Sequence, residues 1–276
     1  MDERKLRVLL RHRGALAGAA ILFLLILVAA GATVFSPHDP HKQVAGKGAE
    51  GPSAVHWLGT DHGGRDILTR LSHAAWLSLL IGVTAVAFSA VVGSVVGATA
   101  GFFGGWADAL TMRLVDIMMA FPRILLAILI ASLMGKGTWS VILAVGITGM
   151  PSFARQIRGS VLAIREMEYV AASRAIGSNP WRTLFVHVIP NAFGPIVVLA
   201  TLGIGGAVLD AAGLSFLGLG VELDQPEWGV MLHHGRRDLE LSPWLAVSAG
   251  AAITLTVLSF NLLGDGVRDA LDPRSR

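Results

Sequence analysis

Long apolar runs separated by short polar stretches dominate this chain. Gly14–Phe35 contains no charged residue and would make about 33 Å of helix at 1.5 Å per residue, enough to cross a bilayer's hydrocarbon core. A second uncharged run, Ala74–Ala107, is longer than one crossing needs and ends in "GFFGGW", which reads as an exit turn. Leu114–Gly135 is predicted as a third span, interrupted by Asp116 and Arg123. Gly137–Ala154, Ala192–Leu209 and Leu241–Gly264 complete an expected set of six. The pattern predicts an all-α membrane protein.

Composition agrees. Of 276 residues, 53% are hydrophobic and 15% charged, and 33 are glycine, a profile of membrane helices rather than of a soluble domain. There is no cysteine, which excludes disulfides and thiolate metal sites. The pI of about 9.8 does not indicate nucleic acid, because the basic residues gather at the ends of apolar runs.

Those basic residues set an expected orientation. One group of loops holds Arg4, Lys5, Arg7, Arg11, Arg13, Arg113, Arg155, Arg158, Arg165, Arg174, Arg182, Arg268, Arg274 and Arg276. The other side holds only Lys42, Lys47, Arg65, Arg70, Lys136, Arg236 and Arg237, over longer loops. The positive-inside rule then puts both termini and the 155–190 loop in the cytoplasm. The basic start, apolar run and Ala30-Gly31-Ala32 also fit a cleavable signal peptide, but the run is long for one, and an uncleaved span is expected. The chain divides into 1–35 (N-terminus and first span), 36–73 (an extracytoplasmic loop) and 74–276 (a five-helix core). No internal repeat is evident.

One polar stretch between spans stands out: "EYVAASRAIGSNPWRTLFVHVIPN", residues 168–191. Arg165–Ile176 favours helix, with Tyr169, Ala172, Ser173 and Ile176 on one face. Gly177 is placed to end it in a left-handed conformation, and Asn179-Pro180 to start a second short helix that Pro190 closes. Phe185, Val186 and Ile189 form that second helix's apolar side. The small residues Ala171, Ala172, Ser173 and Ala175 allow another backbone to approach closely. An interfacial helix pair would explain the amphipathicity. A docking element for a partner explains the compact layout as well.

This segment resembles the "EAA" loop of ABC importer permeases: Glu-Ala-Ala, three residues, Gly, nine residues, a hydrophobic position, one residue, Leu-Pro. The matching positions are Ala171-Ala172-Ser173, Gly177, His187 and Ile189-Pro190. Ala171 stands where the motif has Glu, and Ser173 where it has its second Ala; Glu168 is a candidate source of the missing charge. "HWLGTDHGGRDILTRL", "RLVDIMMAFPRILLAI", "LSFLGLGVELDQPEWGVML" and "FNLLGDGVRDALDP" are similar to the dipeptide/oligopeptide/nickel branch of the same family, in the same order. The resemblance implies the type I importer architecture. It also implies a heterodimer with a second homologous permease, two cytoplasmic ATPase subunits that hold ATP and Mg2+, and an extracytoplasmic substrate-binding protein. The loop at about 158–190 would then couple to an ATPase through Arg165, Glu168, Tyr169, Ala171, Ala172, Ser173, Arg174, Gly177 and Pro190. Cargo is expected to be a peptide, with nickel or a metal chelate as the alternative.

Gly59, Thr60, Asp61, Gly64, Arg65 and Asp66 read either as a capped turn or, by the resemblance, as part of the outer mouth facing the binding protein. Asp116, Pro122, Arg123 and Asp210 sit in or at the edge of spans, where ionisable groups face a cavity or a partner, and Pro122 should kink its helix. Imidazole suits nickel, but His38, His41, His56, His62, His73, His233 and His234 are scattered, so no metal site and no bound cofactor is assigned. No G-x-x-x-x-G-K-[ST] loop is present; "GKGT" at 135–138 lacks the preceding Gly. "GLSFL" lacks the closing Gly of G-x-S-x-G, and H-E-x-x-H is absent, so no enzyme is indicated. A secondary transporter driven by an ion gradient would be expected to show internal repeats.

Overall fold

The computed structural model describes residues 8, 10–35, 38–237, 239–240 and 242–271. Arg4, Lys5, Arg7, Arg274 and Arg276 lie outside the described residues, as does the Asp272-Pro273 end of the last family-like block. Among the described residues there are nine helices: α1 Arg13–Phe35, α2 Ile67–Phe103, α3 Gly105–Ala120, α4 Arg123–Met134, α5 Thr138–Ile164, α6 Glu168–Ala175, α7 Pro180–Phe216, α8 Trp228–Gly235 and α9 Trp244–Leu271. Among the described residues the only β pairing is the isolated Thr60–Asp66 bridge.

The helices pack in a bundle of parallel and antiparallel neighbours, and one parallel pair makes the most extensive contact. That pair is α2 and α5, which touch along their length because small residues let the backbones meet. A Cβ on Gly93 would lie 2.6 Å from the Met150 carbonyl oxygen, and one on Gly101 3.2 Å from that of Arg158. Gly97, between them, faces Ala154 in the same way. Ser89 Oγ fastens the pair by donating to the Gly146 carbonyl at 2.6 Å. Antiparallel to them, α7 brings Val208 against Gly82, and α9 lies against both α7 and α1. Ile81, Ala85, Val141, Val145, Ile157, Val161, Ala207 and Leu214 are buried between these helices.

By length and apolarity alone, fewer than the expected six spans stand out. Among the described residues, four helices are long and apolar enough to cross a membrane (α1, α2, α7 and α9), or five if α3 and α4 count as one broken span. Leu114–Gly135 is not a continuous span: α3 and α4 meet at 97° across Phe121-Pro122. Pro122 sets this break by removing a helical N–H and pushing Phe121 out of the helical region, to φ −87°, ψ 142°. α5 is 27 residues long, yet it is diluted by Ser, Thr, Gly and Arg because its buried face meets α2 rather than lipid.

Candidate functional site

Three clusters lie along the molecule: a loop at the end of α5, a charged contact midway, and a polar knot at the start of α2.

The loop holds α6. Gly177 ends that helix at φ +75°, a conformation that costs a side-chain-bearing residue about 1–2 kcal/mol. It permits the paired terminal bonds from Gly177 N–H to the Arg174 carbonyl (3.0 Å) and from Ser178 N–H to the Ser173 carbonyl (3.1 Å). Asn179 Oδ1 accepts from Trp181 N–H at 2.9 Å and caps α7, with Pro180 in its first turn. Both terminus signals read from the sequence are therefore present.

The faces differ from expectation. Val170 and Ser173 point inward, whereas Tyr169, Ala172 and Ile176 are exposed. Along the start of α7, Leu184 and Val188 are buried, while Phe185 and Val186 are exposed. Buried Ser173 Oγ meets Thr183 Oγ1 at 3.1 Å and ties α6 to α7. Nor does Pro190 close a separate second helix: α7 runs through it to Phe216. A π-helical stretch, Thr183–Val188, and a 3₁₀ turn, Pro190–Ala192, absorb the missing N–H, and Asn191 Nδ2 donates to the His187 carbonyl at 2.7 Å. Glu168, Ala171, Ala172, Arg174 and Ala175 form an open small-residue surface with charged edges.

This loop is anchored to the end of α2. Arg165 Nη1 donates to the Gly101 carbonyl at 2.8 Å, Arg174 lies 5.1 Å over the Phe102 ring, and Trp181 sits 4.7 Å from Phe103. Two further pairs hold α3 to α5. Arg158 grips Asp108 through Nε–Oδ1 (2.6 Å) and Nη2–Oδ2 (2.7 Å), and Arg155 Nη2 meets Asp116 Oδ1 at 2.7 Å on the surface. Asp116 is thus paired at an exposed helix edge.

Midway along the molecule, Arg123 opens α4 after the Pro122 bend, and its Nε lies 3.0 Å from Asp210 Oδ2 on α7. No aligned hydrogen bond accompanies this contact, so charge joins the pair. Its guanidinium also rests beside Gly149 of α5, where a Cβ would come within 3.5 Å of Nη2.

At the far end, Asp61 Oδ1 accepts from Gly63 and Arg65 N–H, both at 2.9 Å, and Oδ2 accepts from Arg65 Nε at 2.7 Å. Thr60 donates to the Lys47 carbonyl (2.6 Å), and Asp66 Oδ1 caps α2 through Thr69 N–H (2.8 Å). Thr60, Asp61, Arg65 and Asp66 are buried; Gly59 and Gly64 turn the chain with positive φ. These polar groups are spent on the fold of their own loop.

Sequence reasoning missed the partners of this knot. Buried Arg70 donates to the carbonyls of Pro40 (2.9 Å) and Gln225 (3.3 Å), joining the 38–66 loop to the segment before α8. Glu227, 1% exposed, caps α8 by accepting from Gly229 and Val230 N–H, both at 2.9 Å. Burial pushes its carboxyl pKa up, and those two N–H bonds oppose the shift. An acid directly before "WGVML" was the available cap signal. His233 Nδ1 meets the Phe216 carbonyl and His234 Nε2 the Leu223 carbonyl, both at 2.8 Å.

Known proteins resemble this chain. Residues 93–276 match the family model described as "Binding-protein-dependent transport system inner membrane component", and residues 4–52 match "N-terminal TM domain of oligopeptide transport permease C". The chain is 43% identical over 269 residues to the glutathione transport system permease protein GsiD of Pectobacterium atrosepticum, covering 97% of this chain and 89% of that one. It is 42% identical over 266 residues to the dipeptide transport system permease protein DppC of Alkalihalophilus pseudofirmus, covering 96% and 88%. A solved structure, an inward-facing conformation of the MetNI methionine ABC transporter, superposes with a TM-score of 0.59 at 18% identity, over 74% of this chain and 96% of that one. At that identity the likeness speaks for the fold. The chain is a multi-pass inner-membrane protein, and it belongs to the binding-protein-dependent transport system inner membrane component family, as an ABC importer permease of the dipeptide/oligopeptide type.

Proposed function

We propose that this chain is one permease subunit of an ATP-driven importer of short peptides, forming half of the translocation pathway. The observation that carries the cargo is the pair of relatives above 40% identity, one named for dipeptide and one for glutathione transport, both short peptides. Neither name favours the nickel alternative. The chain itself is without enzymatic activity: a second permease completes the pathway, two cytoplasmic ATPases hold ATP and Mg2+, and an extracytoplasmic binding protein delivers cargo.

The orientation puts the α6 face in the cytoplasm. His12 Nε2 near the start of α1 lies 3.4 Å from Asp269 Oδ2 near the end of α9, so these two helix ends share one face. The exposed small residues of α6 suit a groove on an ATPase, and Arg165, Glu168, Tyr169, Ala171, Ala172, Ser173, Arg174, Gly177 and Pro190 are the coupling set. A shift of α6 would pull on α2 through Arg165 and Phe102, then on α5 through their glycine contact, and reach Arg123 beside Gly149. Arg123 and Asp210, with Pro122 as the bend, are the proposed gate, and Asp116 braces its lower helix. Asp61, Arg65 and Asp66 support the outer mouth as scaffold, with Gly59, Thr60 and Gly64 shaping the turn.

The test is uptake in a strain lacking only this chain, comparing a labelled dipeptide with labelled nickel at trace concentration. Loss of dipeptide uptake alone is expected. Loss of nickel uptake alone would overturn the cargo assignment.

A further inference from the structure

The fold gathers side chains that are scattered along the sequence. One ligand-capable atom from each of His38, His56 and Asp66 lies within 4.8 Å of the other two. His56 Nδ1 is 2.9 Å from Asp66 Oδ2, and the rings of His38 and His56 are 4.9 Å apart between centroids. Two ligand atoms about 2.1 Å from one ion and roughly 90–110° apart lie about 3.0–3.4 Å from each other. The His56–Asp66 pair is already close to that spacing.

The backbone beneath this cluster is fixed. His56 N–H donates to Ser53 Oγ at 3.0 Å, and the His56 carbonyl accepts from Ser53 N–H (2.8 Å) and Gly59 N–H (2.9 Å). Asp66 keeps Oδ1 on Thr69 N–H as the α2 cap, so Oδ2 alone is presented to the histidines. His56 and Asp66 are buried, and His38 is half-buried. His38 and Asp66 also line a cavity of about 460 Å³ between the loop and Val28 and Ala32 of α1. Water or an outside ligand has room there to complete a coordination shell.

We propose that His38, His56 and Asp66 bind one divalent transition-metal ion of the zinc or nickel kind, as a resident ion that staples the 38–57 loop to the start of α2. Two imidazole nitrogens and one carboxylate oxygen suit such ions, whereas magnesium and calcium take oxygen ligands. On binding, the ion replaces the proton between His56 Nδ1 and Asp66 Oδ2, and the His56 ring carries its proton on Nε2 instead. The caps and backbone bonds around His56 and Asp66 hold the ligands in place as outer-shell partners do. The ion is part of the fold and not the cargo, so the proposal stands or falls separately from the peptide reading.

The test uses the full importer complex, purified on a tag without histidine and stripped with a chelator. Titration with Co2+ is expected to give visible absorption bands that one equivalent of Zn2+ per chain abolishes. His38→Gln and His56→Gln should each weaken this binding at least about tenfold, while His41→Gln, on the same loop but outside the cluster, should not. Zn2+ should also raise the thermal midpoint of the unaltered complex and not that of His38→Gln, with Mg2+ inactive on both. No bands in the unaltered complex, unaltered binding in His38→Gln, or equal loss in His41→Gln would each overturn the proposal. Should His56→Gln fail to fold, the His38→Gln and His41→Gln comparison still decides.

Discussion

Arg123 and Asp210 stand far apart in the chain, yet Arg123 Nε lies 3.0 Å from Asp210 Oδ2, linking the helix after the Pro122 bend to the C-terminal part of α7. Arg123 is 44% exposed and Asp210 23%. Removing one partner of a fully buried pair costs about 3–5 kcal/mol; with this exposure the expected cost is about 1–2 kcal/mol.

Arg123→Gln and Asp210→Asn are each expected to lower the thermal midpoint and dipeptide uptake. The double substitution should be milder than the sum of the two, because it leaves no unpaired charge in a span. A double-mutant cycle on the purified complex checks this. Strict additivity would show that the two groups are not coupled.

Ala172 is exposed on α6. Ala172→Glu should therefore leave insertion and thermal stability unchanged, while uptake falls at least about tenfold and the complex's ATPase loses its dependence on cargo. Gly177→Glu should lower uptake and uncouple the ATPase in the same way, and in addition destabilise by about 1–2 kcal/mol because of its positive φ. Normal ATP-linked uptake by Gly177→Glu would remove the docking assignment.

Glu227→Ala is expected to destabilise by about 1–3 kcal/mol, since it orphans the buried N–H groups of Gly229 and Val230. Thermal unfolding of the complex measures it. A shift within error would mean that water takes over the cap.

Burial lowers the His234 pKa below the ordinary imidazole value of 6.5, helped by the charges of Arg65 and Arg70. The folded state then holds fewer protons than the unfolded one as pH drops. This contribution is flat above about pH 6.5, and stability falls as pH descends from there toward the lowered value. His234→Gln should remove part of the acid slope of the thermal midpoint between pH 7.5 and 5.5. An unchanged slope would assign the acid sensitivity to other groups.

Features governed by neighbours in the chain were legible beforehand. Gly177 ends α6, Asn179-Pro180 starts α7, and α1 fills the first uncharged run, because each depends on local dihedrals or local apolarity. The bend after Phe121 was legible for the same reason, although its 97° magnitude was not. Pro190 misled, since a π turn upstream absorbed the break that proline normally makes. The buried face of α6 misled too. Val170 and Ser173 turn inward because Thr183 and the end of α2 lie there, and no periodicity within eight residues reveals where a neighbouring helix stands.

By itself the sequence determined that the chain is an all-helical membrane protein and marked the loop that resembles an importer's coupling element. Those properties reside in runs of apolar residues and in short motifs. Tertiary structure alone decided that Arg123 meets Asp210, that Arg70 ties the loop before α2 to the segment before α8, and that His38, His56 and Asp66 converge. The physical reason is range. Helix formation and capping act within a few residues, whereas charge pairing and metal ligation act through space at a few ångströms, and only the packing of α2 against α5 and α7 sets which groups come that close.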